Sequence, residues 1–186
     1  MTETSTAAGV ADGNLERRIR EAIRDVPDFP KPGIVFKDIT PLLADARLFR
    51  ETTDAMAAPF AGARISHVVA IESRGFILGA PVAERLEAGF VPVRKVGKLP
   101  FKTERVEYAL EYGTDRLEVH ADAMGPGSRV LIVDDVLATG GTARATCELV
   151  DRLGASVVGC SFLMALSFLP GVESLAARGA RALVTY

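Results

Sequence analysis

The segment from Val130 to Thr142 constrains the fold of this chain more than any other. Val130-Leu131-Ile132-Val133 is a run of four apolar residues. Asp134 and Asp135 follow, and Val136-Leu137-Ala138-Thr139-Gly140-Gly141-Thr142 ends the stretch in small residues. A short apolar run bounded by turn residues reads as a fully buried strand. Strands buried on both faces belong to parallel sheets covered by helices. The small residues then read as a tight loop that opens a helix.

The same segment has a chemical reading. Backbone N–H groups of small residues can close around an anion, and a helix N-terminus adds unpaired donors and the positive end of its dipole. Thr139 and Thr142 add hydroxyls. Such a loop suits a phosphate. Carboxylates beside a phosphate would repel it, so Asp134 and Asp135 need another partner. Neighbouring sugar hydroxyls fit, because an ionised Asp accepts their hydrogen bonds strongly. A phosphate next to vicinal hydroxyls describes a ribose 5-phosphate. No G-x-x-x-x-G-K-[ST] occurs, and no G-x-G-x-x-G opens a helix after a strand, so a P-loop NTPase and a dinucleotide fold are both disfavoured.

The rest of the chain alternates in the same way. Asn14 to Asp25 suits an amphipathic helix, with Leu15, Ile19 and Ile23 in register. Asp25 to Pro32 carries Pro27, Pro30 and Pro32, so it runs irregular or extended. Thr40-Pro41 reads as an N-cap with Pro at the first helical position, and a helix follows from Arg47 to Phe60. Further strands are expected at Ser66–Ile71, Phe90–Arg94, Arg129–Asp134, Val157–Leu166 and Ala182–Thr185. Helices are expected at Gly75–Ala88, from the Gly-rich loop to Leu153, and at Leu169–Arg178. Val106–Glu111 and Leu117–His120 flank Gly113-Thr114-Asp115 and predict a β-hairpin inserted into the βα series. The expected fold is α/β, a mostly parallel sheet flanked by helices. Ligands then sit at the carboxyl ends of strands, which directs attention to the loops after Ile71, Arg94 and Asp134.

Composition bounds the function. The chain has 186 residues, 48% of them hydrophobic and 25% charged, enough to build one core. The net charge is −2, which argues against a nucleic-acid partner. No apolar run is long enough to span a bilayer. Met1 to Asp12 lacks the basic and apolar regions of a signal peptide and reads as a disordered leader. Cys147 and Cys160 cannot make a disulfide framework; they read as small buried thiols in a reducing, cytoplasmic compartment. His67 and His120 show no zinc spacing.

The Val130–Thr142 segment closely resembles the phosphoribosyl pyrophosphate (PRPP) motif of the type I phosphoribosyltransferases. Its Leu137-Ala138-Thr139-Gly140-Gly141-Thr142 ending looks like the version found in the adenine-using members. Other segments agree. Asp28 to Thr40 is similar to their N-terminal base-binding hood, where prolines stiffen a segment with free backbone groups and Phe36 offers a stacking face. The resemblance assigns adenine contacts to the backbone around Val35 and Lys37 and stacking to Phe36. Glu72-Ser73-Arg74-Gly75 matches the family's pyrophosphate loop, and a non-proline cis peptide is expected between Glu72 and Ser73. Arg94 and Lys98 match its pyrophosphate cations, some of whose contacts cross a dimer interface. The hairpin matches its mobile lid, with Glu111 as catalytic acid/base and Tyr112 as an accompanying aromatic.

What the resemblance implies is transfer of the phosphoribosyl group from PRPP to adenine, giving AMP and pyrophosphate. Asp134 and Asp135 would hold the ribose. Ala138, Thr139, Gly140, Gly141 and Thr142 would hold the 5-phosphate. Glu72, Ser73, Arg74, Arg94 and Lys98 would hold pyrophosphate. Mg²⁺ would be bound through the phosphates with no direct protein ligand. The expected organisation is a leader over residues 1–12 and one domain over 13–186, with a hood to about residue 40 and a lid over about 98–120, as a homodimer. Transfer to another purine base is the first alternative, and the hood motif argues against it. A PRPP-sensing relative without catalysis is the second, and no length is left for an appended DNA-binding module.

Overall fold

The structure, a computed structural model, describes the backbone of residues 8–109 and 114–186 and the side chains of residues 13–108 and 114–186. The chain divides into two compact units, Met1–Thr53 and Asp54–Tyr186. The sequence alone predicts a single domain from residue 13.

The first unit holds α1 (Ala8–Ala22), β1 (Arg24–Pro27), β2 (Val35–Asp38), α2 (Thr40–Ala44) and most of α3 (Ala46–Ala57). Helix α1 begins inside the stretch read as a leader, where Ala8 and Ala11 are strong helix formers. It ends before Asp25, because Arg24–Pro27 pairs antiparallel with Val35–Asp38. The segment expected to run irregular or extended therefore contributes the extended residues of a strand. Pro27 can join it because it closes the strand at the edge of a two-stranded sheet, where a missing N–H costs little. The turn between these strands contains a cis Phe29–Pro30 bond, and Asp28 Oδ1 accepts the Gly33 N–H at 2.7 Å. Thr40 opens α2 rather than preceding it. Its cap comes from Asp38, which accepts the Thr40 N–H at 2.9 Å and the Thr40 hydroxyl at 2.8 Å.

The second unit is built on seven strands: β3 (His67–Ile71), β4 (Gly89–Lys95), β5 (Thr103–Ala109), β6 (Thr114–His120), β7 (Arg129–Leu137), β8 (Ser156–Ala165) and β9 (Ala180–Thr185). Their order in the sheet is β5-β6-β4-β3-β7-β8-β9. The five from β4 to β9 are parallel, as the βα alternation predicts. The hairpin does not stand apart from the sheet. It pairs from Thr103 with His120 to Ala109 with Thr114, and β6 joins β4 at Arg94 and Glu118.

Helix α4 (Arg74–Arg85) follows β3, and α5 (Gly141–Arg152) follows β7. Alternate strand residues separate their contacts. Val69, Ile71, Val130 and Ile132 share a core with Ala143, Leu149 and Val150 of α5. Ala70 faces α4 so closely that a Cβ on Gly79 would lie 2.6 Å from the Ala70 methyl. The helix expected at Leu169–Arg178 is broken into α6 (Gly171–Ser174) and a single 3-10 turn at Ala176–Arg178. Among the described residues, no helix is long and apolar enough to cross a membrane.

Candidate active site

The site grows from the point where two strands part. Strand β7 pairs with β3 from Val130 to Val133, and beyond that only with β8. The chain leaves β3 towards β4 on one side and leaves β7 towards β8 on the other. A crevice opens at such a switch point, at the carboxyl ends of the strands. The sequence ends the strand at Asp134. The strand in fact runs on to Leu137, so that Asp135 lies inside it too, and Asp134 pairs with Phe162. The strand therefore fixes both carboxylates to a rigid backbone.

The two acids are close and poorly hydrated. Asp135 is buried and Asp134 half-buried. Asp135 donates its backbone N–H to Asp134 Oδ1 at 2.9 Å. Arg74, the first residue of α4, places Nη1 3.0 Å from Asp135 Oδ2. Burial pushes the Asp134 carboxyl well above the usual range, and the neighbouring Asp135 charge pushes it further. Burial also raises Asp135, against the opposing pull of Arg74. The adjacent backbone is equally crowded. A Cβ on Gly75 would lie 2.8 Å from Asp134 Oδ1 and 3.0 Å from the Val133 carbonyl oxygen.

The small-residue loop opens a helix, as its composition predicts. Gly140 takes φ +81° and caps α5, a conformation that favours glycine. The first N–H groups of α5 therefore open towards Thr139 and Gly140, which line the same crevice as Asp134, Asp135 and Arg74. The cavity measures about 380 Å³. Glu72 and Ser73 form part of its wall, and the peptide between them is cis, as expected. The Glu72 carboxylate faces the end of β4. Its Oε2 accepts from Arg94 Nε and from the Lys95 backbone N–H, each at 3.0 Å.

Three wall residues were not singled out from sequence. Lys95 Nζ lies 3.2 Å from Asp115 Oδ2. Tyr108 donates its hydroxyl to the same oxygen at 3.3 Å, and Thr142 Oγ1 reaches the Tyr108 hydroxyl at 3.5 Å. The Asp115 partner raises Lys95, and burial raises Tyr108. These residues come from β4, β5 and β6. Only the register of the hairpin brings them together, and no local motif announces them.

Other expected residues stand elsewhere. Arg94 is held by Glu72, donates to the Lys98 carbonyl at 3.4 Å, and lies over the Phe76 ring at 5.9 Å. Neither Arg94 nor Lys98 lines the cavity of this single chain. Val35, Phe36 and Lys37 are on β2 in the first unit. Phe36 meets Phe29 edge-on at 5.2 Å, and Lys37 pairs with Asp25 at 2.6 Å. Glu111 and Tyr112 lie outside the described residues. Among the described residues, no group of three or more His, Cys, Asp or Glu is placed to hold a metal. Cys147 and Cys160 are buried and unbridged.

A family model described as a phosphoribosyl transferase domain matches residues 43–167. An adenine phosphoribosyltransferase of Myxococcus xanthus is 56% identical over 177 residues, covering 95% of this chain and 96% of the relative. The crystal structure of the adenine phosphoribosyltransferase of Rhodothermus marinus has a TM-score of 0.90 at 53% identity, covering 94% of this chain and 99% of that one. The Saccharomyces cerevisiae enzyme, complexed with an imino-altritol bisphosphate and adenine, has a TM-score of 0.87 at 39% identity. It covers 92% of this chain and 99% of its own.

Proposed function

The chain belongs to the phosphoribosyl transferase family, and on that premise we infer its reaction and the residues that carry it. It transfers the 5-phosphoribosyl group from PRPP to adenine, forming AMP and releasing pyrophosphate. One observation carries the site assignment. Two adjacent desolvated acids and a glycine-capped helix N-terminus share one cavity.

The chemistry follows from that pairing. Adenine N9 attacks C1 of the ribose as pyrophosphate leaves, through a transition state with oxocarbenium character. The chain's task is to hold three groups in line and to stabilise departing charge. Asp134 and Asp135 accept the ribose hydroxyls, and their charge favours the developing sugar cation. Ala138, Thr139, Gly140, Gly141 and Thr142 bind the 5-phosphate with backbone and hydroxyl donors. Arg74, the 72–73 loop, Arg94 and Lys98 serve pyrophosphate, and Lys95 joins them from the cavity wall. The Arg94 and Lys98 assignments fit a homodimer in which the partner's loop completes the site. Ile77, Phe90 and Val96, large apolar side chains left exposed in one chain, are consistent with such an interface. The hood residues Val35, Phe36 and Lys37 read the base. Glu111 manages the imidazole-ring proton of adenine, with Tyr112 beside it in the lid.

A pair of adjacent carboxylates suits a hydrated Mg²⁺ held by substrate oxygens. When bound, it would neutralise charge on the leaving pyrophosphate. The enzyme's place is the cytoplasm, in keeping with two buried free thiols.

The assignment is tested with Asp134→Asn and Asp135→Asn combined. Loss of two charge-assisted hydrogen bonds weakens PRPP binding by about 100-fold or more. Calorimetric titration with PRPP and Mg²⁺ reads this directly, and unchanged affinity would remove the acids from the ribose site.

A further inference from the structure

Glu118 has no part in the cavity, yet among the described residues of the second unit it is the most completely satisfied carboxylate. It is 0% exposed. Its Oε1 accepts three consecutive backbone N–H groups, from Gly97 at 2.9 Å and from Lys98 and Leu99 at 3.1 Å each. Its Oε2 accepts the Thr103 hydroxyl at 3.2 Å and lies 3.2 Å from Arg105 Nε. Burial opposes ionisation here, but the N–H groups of Leu99 and Lys98, the Thr103 hydroxyl and the Gly97 N–H outweigh it. The carboxylate is held below its ordinary range.

Three successive amides converging on one oxygen form a nest, a backbone concavity built for an anion. Here the anion is the chain's own side chain. Gly97 permits the curve with φ +85°. The nest lies in the loop after β4, which carries Lys98. The carboxylate lies on β6, the strand that also carries Asp115 and pairs with β4 at Arg94. Moving this enclosed charge away would remove the acceptor that the three loop amides share. Glu118 therefore ties the loop to β6.

We propose that Glu118 is a positioning residue for pyrophosphate recognition: it fixes the Gly97–Leu99 backbone and with it the direction in which Lys98 is presented. This rests on the reading of Lys98 as a pyrophosphate cation. Glu118 touches no substrate and acts only through the loop.

The test compares Glu118→Gln, Glu118→Ala and Lys98→Ala in both reaction directions. In Glu118→Ala, KM for PRPP and for pyrophosphate rises about tenfold, the scale of a lost hydrogen bond to a buried charge. KM for adenine and for AMP changes less than about twofold, because those ligands do not use the loop. Glu118→Gln retains one acceptor for the nest and shows a smaller rise. Added formate fits the truncated space in Glu118→Ala and partly restores KM for pyrophosphate. A variant that only lowers Tm, or that raises all four KM values equally, refutes the positioning role. If Lys98→Ala weakens pyrophosphate while both Glu118 variants leave it unchanged, the Lys98 reading stands and this inference fails. If Lys98→Ala leaves pyrophosphate unchanged, the reading itself fails and the inference falls with it.

Discussion

At Gly75 the fold leaves no room for a side chain, because any Cβ would press on Asp134 Oδ1 and on the Val133 carbonyl. Gly75→Ala should displace the carboxylate that we assign to ribose. The expected result is a rise of about tenfold in KM for PRPP, the scale of one charge-assisted hydrogen bond, with little change in KM for adenine. Steady-state kinetics with each substrate varied in turn will check it. The acids also set a pH dependence. A protonated carboxyl accepts more weakly and carries no charge to favour the sugar cation, so PRPP binding favours the ionised form. Burial, and for Asp134 its acidic neighbour, raise both groups, so kcat/KM for PRPP falls with decreasing pH earlier than an ordinary carboxylate would cause. Asp135→Asn removes the like charge and shifts the acid limb of Asp134 to lower pH. Stability runs the other way. The folded chain binds more protons than the unfolded one, so the pair's contribution weakens as pH rises above the usual carboxylate value. Asp134→Asn should therefore raise Tm at neutral pH while weakening PRPP, which thermal melts beside titration will show. Asp134, Asp135, Arg74 and Gly140 were legible because they sit in contiguous motifs. Lys95, Tyr108 and Asp115 were not, because cross-strand pairing assembles them.

Among the elements, the phosphate loop depends on a segment that sequence reading left without a role. A Cβ on Gly171, at the start of α6, would lie 2.2 Å from the Ala138 carbonyl oxygen. Ser174 Oγ fills the place where a Gly140 side chain would go, and donates to the Gly171 carbonyl at 2.8 Å. Helix α6 thus backs the loop from outside. Gly171→Ala should push Ala138 into the cavity and raise KM for PRPP by about five- to tenfold, the lower end of the 1–3 kcal/mol range of a local overpacking. The same variant should leave the pKa-dependent acid limb in place; a pH profile beside the kinetics distinguishes a displaced loop from altered acids. The strand–loop–helix order of β7 and α5 was readable from four apolar residues and the small residues after them. The length of β7 was not, since the Asp134–Leu137 pairing with β8 offsets the poor strand propensity of two acids. Strand β1 was obscured by Pro27 and by the helical register that runs on to Asp25, and the break in the last helix was masked by its apolar periodicity.

For the whole molecule, the strand order explains why so much function was legible. Parallel βα units force a switch point between β3 and β7, and both ligand loops leave from it. The division at Thr53 was not legible, because α3 runs through it without a composition break. The partner contribution proposed above is likewise outside one chain's pattern. If Arg94 and Lys98 act across a dimer, specific activity should fall on dilution below the dimer dissociation constant, which light scattering and assays at matched concentrations would reveal. The central claim is narrower and more direct. Purified enzyme is given PRPP and Mg²⁺ with adenine, hypoxanthine, guanine, xanthine or uracil in separate tubes, and nucleotide and pyrophosphate are measured. Adenine alone should be converted, to AMP with one pyrophosphate each. Turnover of a different base, or of none, would contradict it.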